Sequence, residues 1–411
     1  MFLYNYLKSE NINNKETLLI ILLLSLSFIV RVPVILIFGD STLDNEWGIM
    51  HHNLTNYNIL SQKSFGEFLL PNLWLPPLYS YYLYILSFLS FEGQNFVLLV
   101  LFSQIILASI SVVIFYKLNK NFFSQKISFF SSLIFSFYPL YLYASAQISS
   151  ISLTIFLAIY FYYYFFKIKN DKKYINIILY SLVGGLLILC NREFIAIIIL
   201  SSFYLLFFCK ISFKKVLLII LITSITISPY LVRNYIVFEK IIMGAGFGYN
   251  LWKGNNPNSK VEGSEFINEN LKNLIEEIPK DKFYRIEENK IYTQEAIKNI
   301  KEDTKKYFFL YVKKFLSYFF IDLESTKQHY YNLLHYMPNL LLGAISLIGI
   351  FLSDKKSSSV NYLILILSFY LFVFSFFAIQ PRYKMYIIPF QIIFSTIFIE
   401  YIIKKFQQNK S

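Results

Sequence analysis

The chain has 411 residues, of which 56% are hydrophobic and only 15% are charged. Soluble proteins carry about 25% charged residues, so the composition excludes an ordinary soluble protein. The formal net charge is +13, but the lysines stand in short clusters between apolar runs. Because a nucleic-acid-binding protein gathers its basic residues into a patch or stripe, this distribution argues against a nucleic acid partner.

Apolar runs recur along the chain at the length of about 20 residues that a helix needs to cross the hydrocarbon core of a bilayer. The first run covers residues 18–38 and contains no small-residue cleavage site. It is also longer than the apolar region of a signal peptide, which has about 7–15 residues. We therefore interpret it as a retained membrane anchor.

Five lysine clusters orient the other runs, and together they hold fifteen lysines against two acids, Asp171 and Asp354. They cover residues 117–126, 167–173, 210–215, 354–356 and 404 onward. Cytoplasmic loops are rich in lysine and arginine, so we place all five clusters and both termini in the cytoplasm. The predicted crossings are then 18–38, 95–116, 127–144, 148–166, 174–190, 193–209, 215–232, 337–353, 360–378 and 385–403. The predicted fold class is an all-α integral membrane bundle of about ten transmembrane helices.

Two further apolar segments are predicted to lie at the outer membrane face. Residues 78–91 follow Pro76-Pro77, and a full crossing there would invert every later lysine cluster. Apolar runs of about 10–14 residues are typical of interfacial or re-entrant helices. Residues 307–320 are interrupted by Lys313-Lys314, as in an amphipathic helix at the interface.

Two large loops fall outside, residues 39–95 and residues 233–338. The second contains residues 262–303, which hold eleven of the chain's twenty-five acidic residues. A helical spacing of apolar residues within it predicts an amphipathic helix that ends at Pro279. These residues are Phe266, Ile267, Leu271, Leu274, Ile275 and Ile278. The predicted organisation has three parts: residues 1–235 with the loop 39–95, an extracytoplasmic part 236–336, and the C-terminal helices 337–411.

Polar residues without an obvious solubilising role gather on the outer side. They are Asp40, Asp44, Glu46 and His52 in the first loop, Arg192 in a turn between two apolar helices, Arg233 and Asn234 at the start of the second loop, and Arg382, Tyr383 and Lys384 in the last turn. An ionisable group near the hydrocarbon is costly and needs a partner. Guanidinium groups match phosphate oxygens in bidentate geometry, so we hypothesise that Arg192, Arg233 and Arg382 bind a phosphate. The alternative is that Arg192-Glu193 only marks the water interface. Arg31, inside the first crossing, either extends outward or joins the cluster.

Asp44 and Glu46 have two interpretations. They are either hydrated loop acids or, beside a phosphate site, the general base that removes a proton from an attacking hydroxyl. His51-His52 lacks a third ligand at a fixed spacing, so no zinc site is predicted, although a divalent metal stays open. The glycines at 244, 246 and 248 have no following Lys-Ser/Thr and no preceding strand, so they favour a tight turn over a phosphate loop.

Six short motifs occur in one order along residues 20–400. They are Leu43-Asp44-Asn45-Glu46-Trp47, Pro76-Pro77-Leu78-Tyr79, Asn191-Arg192-Glu193, Ser228-Pro229-Tyr230-Leu231-Val232-Arg233-Asn234-Tyr235, Gly248-Tyr249-Asn250-Leu251-Trp252 and Arg382-Tyr383. The set resembles the GT-C class of polyprenyl-phosphate-sugar glycosyltransferases, which includes protein O-mannosyltransferases and aminoarabinose transferases. Each motif is weak alone, and their order and common side of the membrane make the resemblance specific.

The resemblance implies that Asp44 is the general base, with Glu46 as second choice. It also implies inverting transfer of a sugar from a polyprenyl-phosphate donor to a glycan, lipid or protein acceptor, outside the plasma membrane, with the arginines taking up the charge of the departing phosphate. The chain differs from the aminoarabinose transferases at Trp47, where they have arginine, and at Leu75, where they have lysine. Its Asn191-Arg192-Glu193 turn also lacks the family's proline. Donor contacts therefore do not carry over from that branch.

Two other functions fit parts of the pattern. A polysaccharide polymerase or ligase also has many helices and outer arginines, and would use lipid-diphosphate glycans. A lipid-linked-sugar flippase or transporter would be expected to show two related halves with interrupted helices, and this chain shows one large acidic outer loop and no internal repeat.

Overall fold

The computed structural model of the chain describes residues 12–38, 73, 76–89, 94–325 and 332–408, and within these ranges the regular structure is helical throughout. The helices of the first half are α1 (Ile12–Phe38), α2 (Pro77–Ser87), α3 (Gln94–Asn119), α4 (Gln125–Phe137), α5 (Pro139–Ser145), α6 (Ile151–Asp171), α7 (Tyr174–Cys190), α8 (Phe194–Phe207) and α9 (Phe213–Phe238). Those of the second half are α10 (Phe247–Gly254), α11 (Glu269–Glu276), α12 (Tyr284–Glu302), α13 (Thr304–Phe319), α14 (Leu333–Leu352), α15 (Ser358–Phe374), α16 (Pro381–Lys384) and α17 (Ile388–Gln408).

All ten predicted crossings fall on helices, and residues 127–144 are divided into α4 and α5 by a bend of 56° at Pro139. Five described helices are long and apolar enough to cross a membrane, or six if α4 and α5 form one span. The five lie within α1, α3, α6, α9 and α14. Helices α7, α8 and α15 are apolar but shorter, with 17, 14 and 17 residues. The chain is a membrane protein, and the number of ten crossings stays a prediction.

Small residues let the helices approach closely. A Cβ added at Gly349 of α14 would lie 1.8 Å from the Phe394 carbonyl oxygen of α17, and one at Gly185 of α7 would lie 2.5 Å from the Thr226 Cβ of α9. In a bundle surrounded by lipid, where apolar burial does not drive helix association, such close van der Waals packing and hydrogen bonds between helices hold the helices together.

Hydroxyl groups add such bonds in the core. The hydroxyls of Tyr162 on α6 and Tyr370 on α15 are 3.1 Å apart, and Ser201 Oγ on α8 lies 2.8 Å from the Tyr362 hydroxyl on α15. Tyr162, Tyr362 and Tyr370 are all at most 3% exposed. Helix α15 is thus fixed to α6 and α8 at two levels.

The two segments predicted at the outer face form short helices. Helix α2 has 11 residues and is about 16 Å long, too short to cross the hydrocarbon core. Its Tyr79 and Leu83 are buried, and the Tyr79 hydroxyl donates to Gln104 Oε1 of α3 at 2.9 Å. The second segment is α13, which Asp303 caps by accepting from the Lys306 N–H at 3.0 Å.

The predicted amphipathic helix at residues 266–278 is wrong in extent. Helix α11 begins at Glu269, because the Asn268 side chain accepts a hydrogen bond from the Leu271 N–H and caps it there, and it ends at Glu276. Phe266 lies outside the helix and is 58% exposed. Leu271 is buried in one apolar cluster with Trp252 of α10 and Tyr292 of α12, so α11 packs with these two helices.

The segment from α10 to α13 is fastened to the end of α15. The Asn255 side chain donates to the Phe376 carbonyl at 2.7 Å, and the Ile379 N–H donates to the Val261 carbonyl at 2.8 Å. On α13, Lys314 is fully buried and donates to the Gly254 carbonyl at 2.6 Å. Burial lowers the pKa of Lys314 to about 7.

The lowered pKa of Lys314 predicts a pH-dependent stability. In the unfolded chain this amine keeps a proton up to about pH 10.4, whereas the folded chain loses it near pH 7. The folded state therefore binds fewer protons between these values, so stability rises with pH across this window. We expect Lys314→Met to raise the melting temperature in detergent most at pH 6 and least at pH 10.

The matched control is Lys313→Met, because Lys313 stands on the same helix with its side chain 46% exposed and paired with Glu324. It should show no comparable pH dependence. If Lys314→Met changed the melting temperature equally at pH 6 and pH 10, this would contradict the conclusion that burial lowers the pKa of Lys314.

Candidate functional site

The structure describes six of the ten predicted site residues: Arg192, Arg233, Asn234, Arg382, Tyr383 and Lys384. Asp40, Asp44, Glu46 and His52 lie outside the described residues. The described part of the site is therefore its basic half.

Arg192 lies in a three-residue turn that joins α7 to α8 and is held on two sides. The Asn191 N–H donates to the Leu187 carbonyl at 2.7 Å, which closes the end of α7. The Asn191 side chain donates to the Tyr386 hydroxyl at 2.9 Å, just before α17. Cys190 Sγ lies 3.0 Å from Thr154 Oγ1 of α6. These contacts leave the turn little freedom and fix the backbone that carries Arg192.

The Arg192 guanidinium lies against a glycine-rich stretch of backbone. A Cβ added at Gly244 would be 1.8 Å from Arg192 Nη1, and one at Gly246 would be 2.8 Å from Nη2. The Ala245 N–H between them donates to the Leu73 carbonyl at 2.9 Å. The sequence predicted a tight turn at these glycines, and the structure shows why a side chain is not tolerated there: Arg192 fills the space.

Arg233 and Asn234 were predicted to begin the second outer loop, and this is wrong. Helix α9 continues to Phe238 and ends where Glu239 adopts a left-handed conformation with φ 56°. Both residues are buried in its last turns. Arg233 Nη1 donates to Asn234 Oδ1 at 2.6 Å, and Asn234 Nδ2 donates to the Ile242 carbonyl at 2.6 Å. Asn234 therefore fixes the orientation of the Arg233 side chain.

Aromatic rings flank the Arg233 guanidinium. Its central carbon lies 5.8 Å from the ring centre of Tyr230 and 5.6 Å from that of Phe238. Tyr230 is also within electrostatic range of Arg192, and Tyr81 of α2 is within range of Arg233. Tyr230 is thus close enough to interact electrostatically with both arginines.

Arg382 and Tyr383 belong to the short helix α16. The Arg382 guanidinium carbon lies 5.4 Å from the Tyr383 ring centre, and the Tyr383 carbonyl accepts from the Tyr318 hydroxyl of α13 at 3.1 Å. Lys384 is 4% exposed, its Nζ has no hydrogen-bond partner among the described residues, and it acts electrostatically on His335 of α14. Lys384 therefore belongs to the buried side of α16.

Glu193 was not among the predicted site residues, yet it connects two of them. Burial raises the pKa of its carboxyl group, and the charges of Arg192 and Arg382 and a hydrogen bond from Asn191 oppose this rise. Its side chain is accessible to water by surface area. In the sequence, the only indication that Glu193 belongs to the site was its position directly after Arg192.

The structure thus brings the three predicted arginines to one region of the fold. Arg192 and Arg382 both act on Glu193, and Tyr230 lies within range of both Arg192 and Arg233. Among the described residues of this cluster, three guanidinium groups stand against one carboxylate, which leaves net positive charge suited to an anion. The role of these arginines in phosphate binding stays a prediction.

Comparison with known proteins supports the fold class. No protein-family model and no curated protein sequence matches the chain. The structure is similar to that of the oligosaccharyltransferase of Archaeoglobus fulgidus in the apo form, with 12% identity and a TM-score of 0.55 over 95% of this chain and 51% of that one. At this identity the likeness shows only that the two proteins share a fold, and the chain spans about half the length of the protein it matches.

Two further structures of that oligosaccharyltransferase are less similar. The complex with zinc and sulfate has 14% identity and a TM-score of 0.48, over 81% of this chain and 41% of that one. The complex of AglB with an inhibitory peptide and a dolichol-phosphate has 12% identity and a TM-score of 0.46, over 82% and 43%.

The contact between Gly244 and Arg192 predicts that the two positions are energetically coupled. Gly244→Ala should destabilise the wild-type protein because the new methyl group would overlap Arg192 Nη1. In an Arg192→Ala background the same change should cost less, by a coupling energy of about 0.5–3 kcal/mol. Unfolding in detergent of the wild type, both single variants and the double variant measures this coupling.

Comparing these four proteins forms a double-mutant cycle. The effects of Gly244→Ala on its own backbone and on the neighbouring Leu73 carbonyl cancel in the cycle, because they occur both with and without Arg192. Gly184→Ala serves as a distant control, because its Cβ would lie 3.2 Å from the flexible end of Ile198 and at an ordinary 3.5 Å from the Phe161 ring. Additive effects of Gly244→Ala and Arg192→Ala would contradict the contact.

Proposed function

We propose that the chain is a membrane glycosyltransferase that moves a sugar from a polyprenyl-phosphate donor to an acceptor hydroxyl or amine, with inversion at the anomeric carbon. One observation carries the proposal. In a fold shared with an oligosaccharyltransferase, Arg192 and Arg382 come from distant stretches of the chain and lie within electrostatic range of the same carboxyl group, Glu193.

The chemistry needs positive charge at the departing phosphate. As the bond between the sugar carbon and the phosphate oxygen breaks, its electron pair goes to that oxygen and the lipid phosphate gains negative charge. Preplaced cations in a site of low dielectric stabilise this charge in the transition state. Arg192 and Arg382 are suited to this role because a guanidinium group binds phosphate oxygens through two parallel hydrogen bonds. Arg233, whose guanidinium lies beside the Tyr230 ring, would add further positive charge to the site.

The attacking group must lose a proton as the new bond to the sugar forms. By the resemblance to polyprenyl-phosphate-sugar glycosyltransferases, Asp44 accepts this proton as general base, and Glu46 is the second choice. The proton therefore passes from the acceptor to the carboxylate while the electron pair leaves with the lipid phosphate. The energy is stored in the donor, so the step requires no nucleotide, and a divalent metal is an optional addition.

The proposed setting follows from the lysine clusters. The chain would lie in the plasma membrane with both termini in the cytoplasm and the site at the extracytoplasmic face. Residues 1–235 would form the catalytic module, residues 236–336 the extracytoplasmic part that meets a glycan, lipid or protein acceptor, and residues 337–411 the C-terminal helices. The donor's prenyl chain would lie between helices among membrane lipids.

Two alternatives use the same positive site. A polymerase or ligase would accept lipid-diphosphate glycans, and the likeness to an oligosaccharyltransferase gives this option its support. A flippase would move the lipid-linked sugar without breaking its bond to phosphate. The first loop acids distinguish these reactions, because only base-assisted transfer needs them.

The proposed role of Arg192 and Arg382 predicts that replacing either residue greatly lowers the rate of sugar transfer. Purified protein given a radiolabelled polyprenyl-phosphate sugar and a mixture of acceptors should release free lipid phosphate. Arg192→Gln and Arg382→Gln should each lower kcat by about 10²–10³-fold, as expected when one charged donor to the transition state is removed. Arg285→Gln is the matched control, since Arg285 is paired with Glu288 on α12 outside this cluster. Wild-type rates in both site variants would refute the assigned role.

The first-loop acids provide a separate test in the same assay. Asp44→Asn should abolish transfer, and Glu46→Gln should reduce it less. If both variants keep full transfer, and diphosphate-linked donors work where monophosphate-linked ones do not, the polymerase or ligase option replaces this proposal. Movement of intact donor without release of lipid phosphate would support the flippase.

A further inference from the structure

A cleft lies between the end of α9, the segment that follows α11 and the start of α12. Its volume is about 450 Å³, whereas small-molecule sites in proteins typically have about 300–1,000 Å³. The apolar part of its wall consists of Phe238, Ile278, Pro279 and Phe283. The cleft is therefore large enough for a small organic ligand and offers it apolar surface.

One side chain belongs both to this cleft and to the arginine cluster. Phe238 is 1% exposed, and its ring centre lies 5.6 Å from the Arg233 guanidinium carbon. Phe238 also packs with Ala245, and Ile286 of α12 packs against this group. Ala245 stands between the two glycines whose Cβ positions would meet Arg192. The cleft is thus next to the region in which the proposed function places the donor phosphate.

The charged residues of the cleft carry both signs. Glu239, Asp281 and Glu287 supply carboxylates, and Lys240 supplies an ammonium group. Lys282 pairs with Glu239 at 2.6 Å, which balances part of the negative charge. Carboxylates only accept hydrogen bonds, and ammonium groups only donate them. The cleft therefore offers both kinds of hydrogen-bond partner beside an apolar wall.

A sugar ring matches this combination of groups. Its hydroxyls donate as well as accept hydrogen bonds, whereas its C–H faces are apolar. An anionic ligand would be disfavoured, because the carboxylates of the cleft outnumber the one lysine that lines it.

We propose that this cleft binds the sugar rings of a glycan that serves as acceptor. Phe283 and Pro279 would contact the C–H faces of the rings, and Glu287 and Lys240 would bind their hydroxyls. The assignment of the glycan as acceptor rests on the proposed function, and it selects a glycan from the three classes of acceptor given there. The rings are recognised by the cleft itself, independently of what carries the glycan.

Binding of free sugars tests the cleft without any transfer reaction. The full-length protein in detergent is mixed with neutral disaccharides built from glucose, galactose, mannose or N-acetylglucosamine, and binding is followed by saturation-transfer NMR. We expect at least one disaccharide to bind. Glu287→Ala and Lys240→Ala should each weaken its binding by about two- to tenfold, as expected for the loss of one hydrogen bond. Glu277→Ala and Lys272→Ala are the matched controls and should keep it, because both residues are exposed and neither lines the cleft.

The transfer assay separates this proposal from the proposed function. With the bound disaccharide as acceptor, Glu287→Ala should raise the acceptor KM more than it lowers kcat. Arg192→Gln should lower kcat and leave disaccharide binding intact. If the wild type binds the disaccharide but releases no lipid phosphate, the proposed function fails and the sugar site stands.

Three results would overturn the sugar site. The first is that none of the disaccharides binds, or that only a lipid-linked sugar does. The second is binding that the cleft variants leave unchanged. The third is that a lysine-rich peptide binds in the cleft in place of the sugars, as for a protein acceptor.

Discussion

The placement of one guanidinium group constrains much of the described fold. Arg192 extends from a turn between two helices that are apolar along their length, so its charge has to be stabilised by protein groups close at hand. Glu193 supplies the carboxylate, and Asn191 fixes the turn to the segment before α17. Gly244 and Gly246 leave space for the side chain. Residues far apart in sequence thus depend on a single cation.

The segment from α10 to α13 supports the same region of the fold. Helices α10 and α12 share a small core around Trp252 and Tyr292, and α13 is fixed to the end of α10 by Lys314. From α13, the Tyr318 hydroxyl reaches the Tyr383 carbonyl beside Arg382. The segment from α10 to α13 is therefore continuous with the support of α16, so a change at its surface can alter the position of Arg382.

Much of this architecture was predictable, and the parts that were not share a physical cause. The ten apolar segments were located because hydrophobic length and lysine distribution are properties of the sequence alone. The prediction that Arg192, Arg233 and Arg382 share one side of the membrane led us to expect them close together, and the structure brings them to one region of the fold. The end of α9 was misplaced because Arg233 and Asn234 are polar yet buried, held by a hydrogen bond to Ile242 that no local pattern reveals. The role of Glu193 and the contact of Gly244 and Gly246 with Arg192 depend on which residues meet in the folded chain. A single sequence does not show this.

The shortness of α8 has a consequence for the surrounding bilayer. Its 14 residues give a length of about 21 Å, whereas the hydrocarbon core of a typical bilayer is about 30 Å thick. Where a helix is shorter than the core, lipids deform to match it and the bilayer thins locally. If α8 crosses the membrane, as the sequence predicts, lipid head groups beside it would then lie deeper than elsewhere around the protein. Under the proposed function, a lipid-borne phosphate would reach the level of Arg192 by moving sideways along this depressed surface, without leaving the membrane.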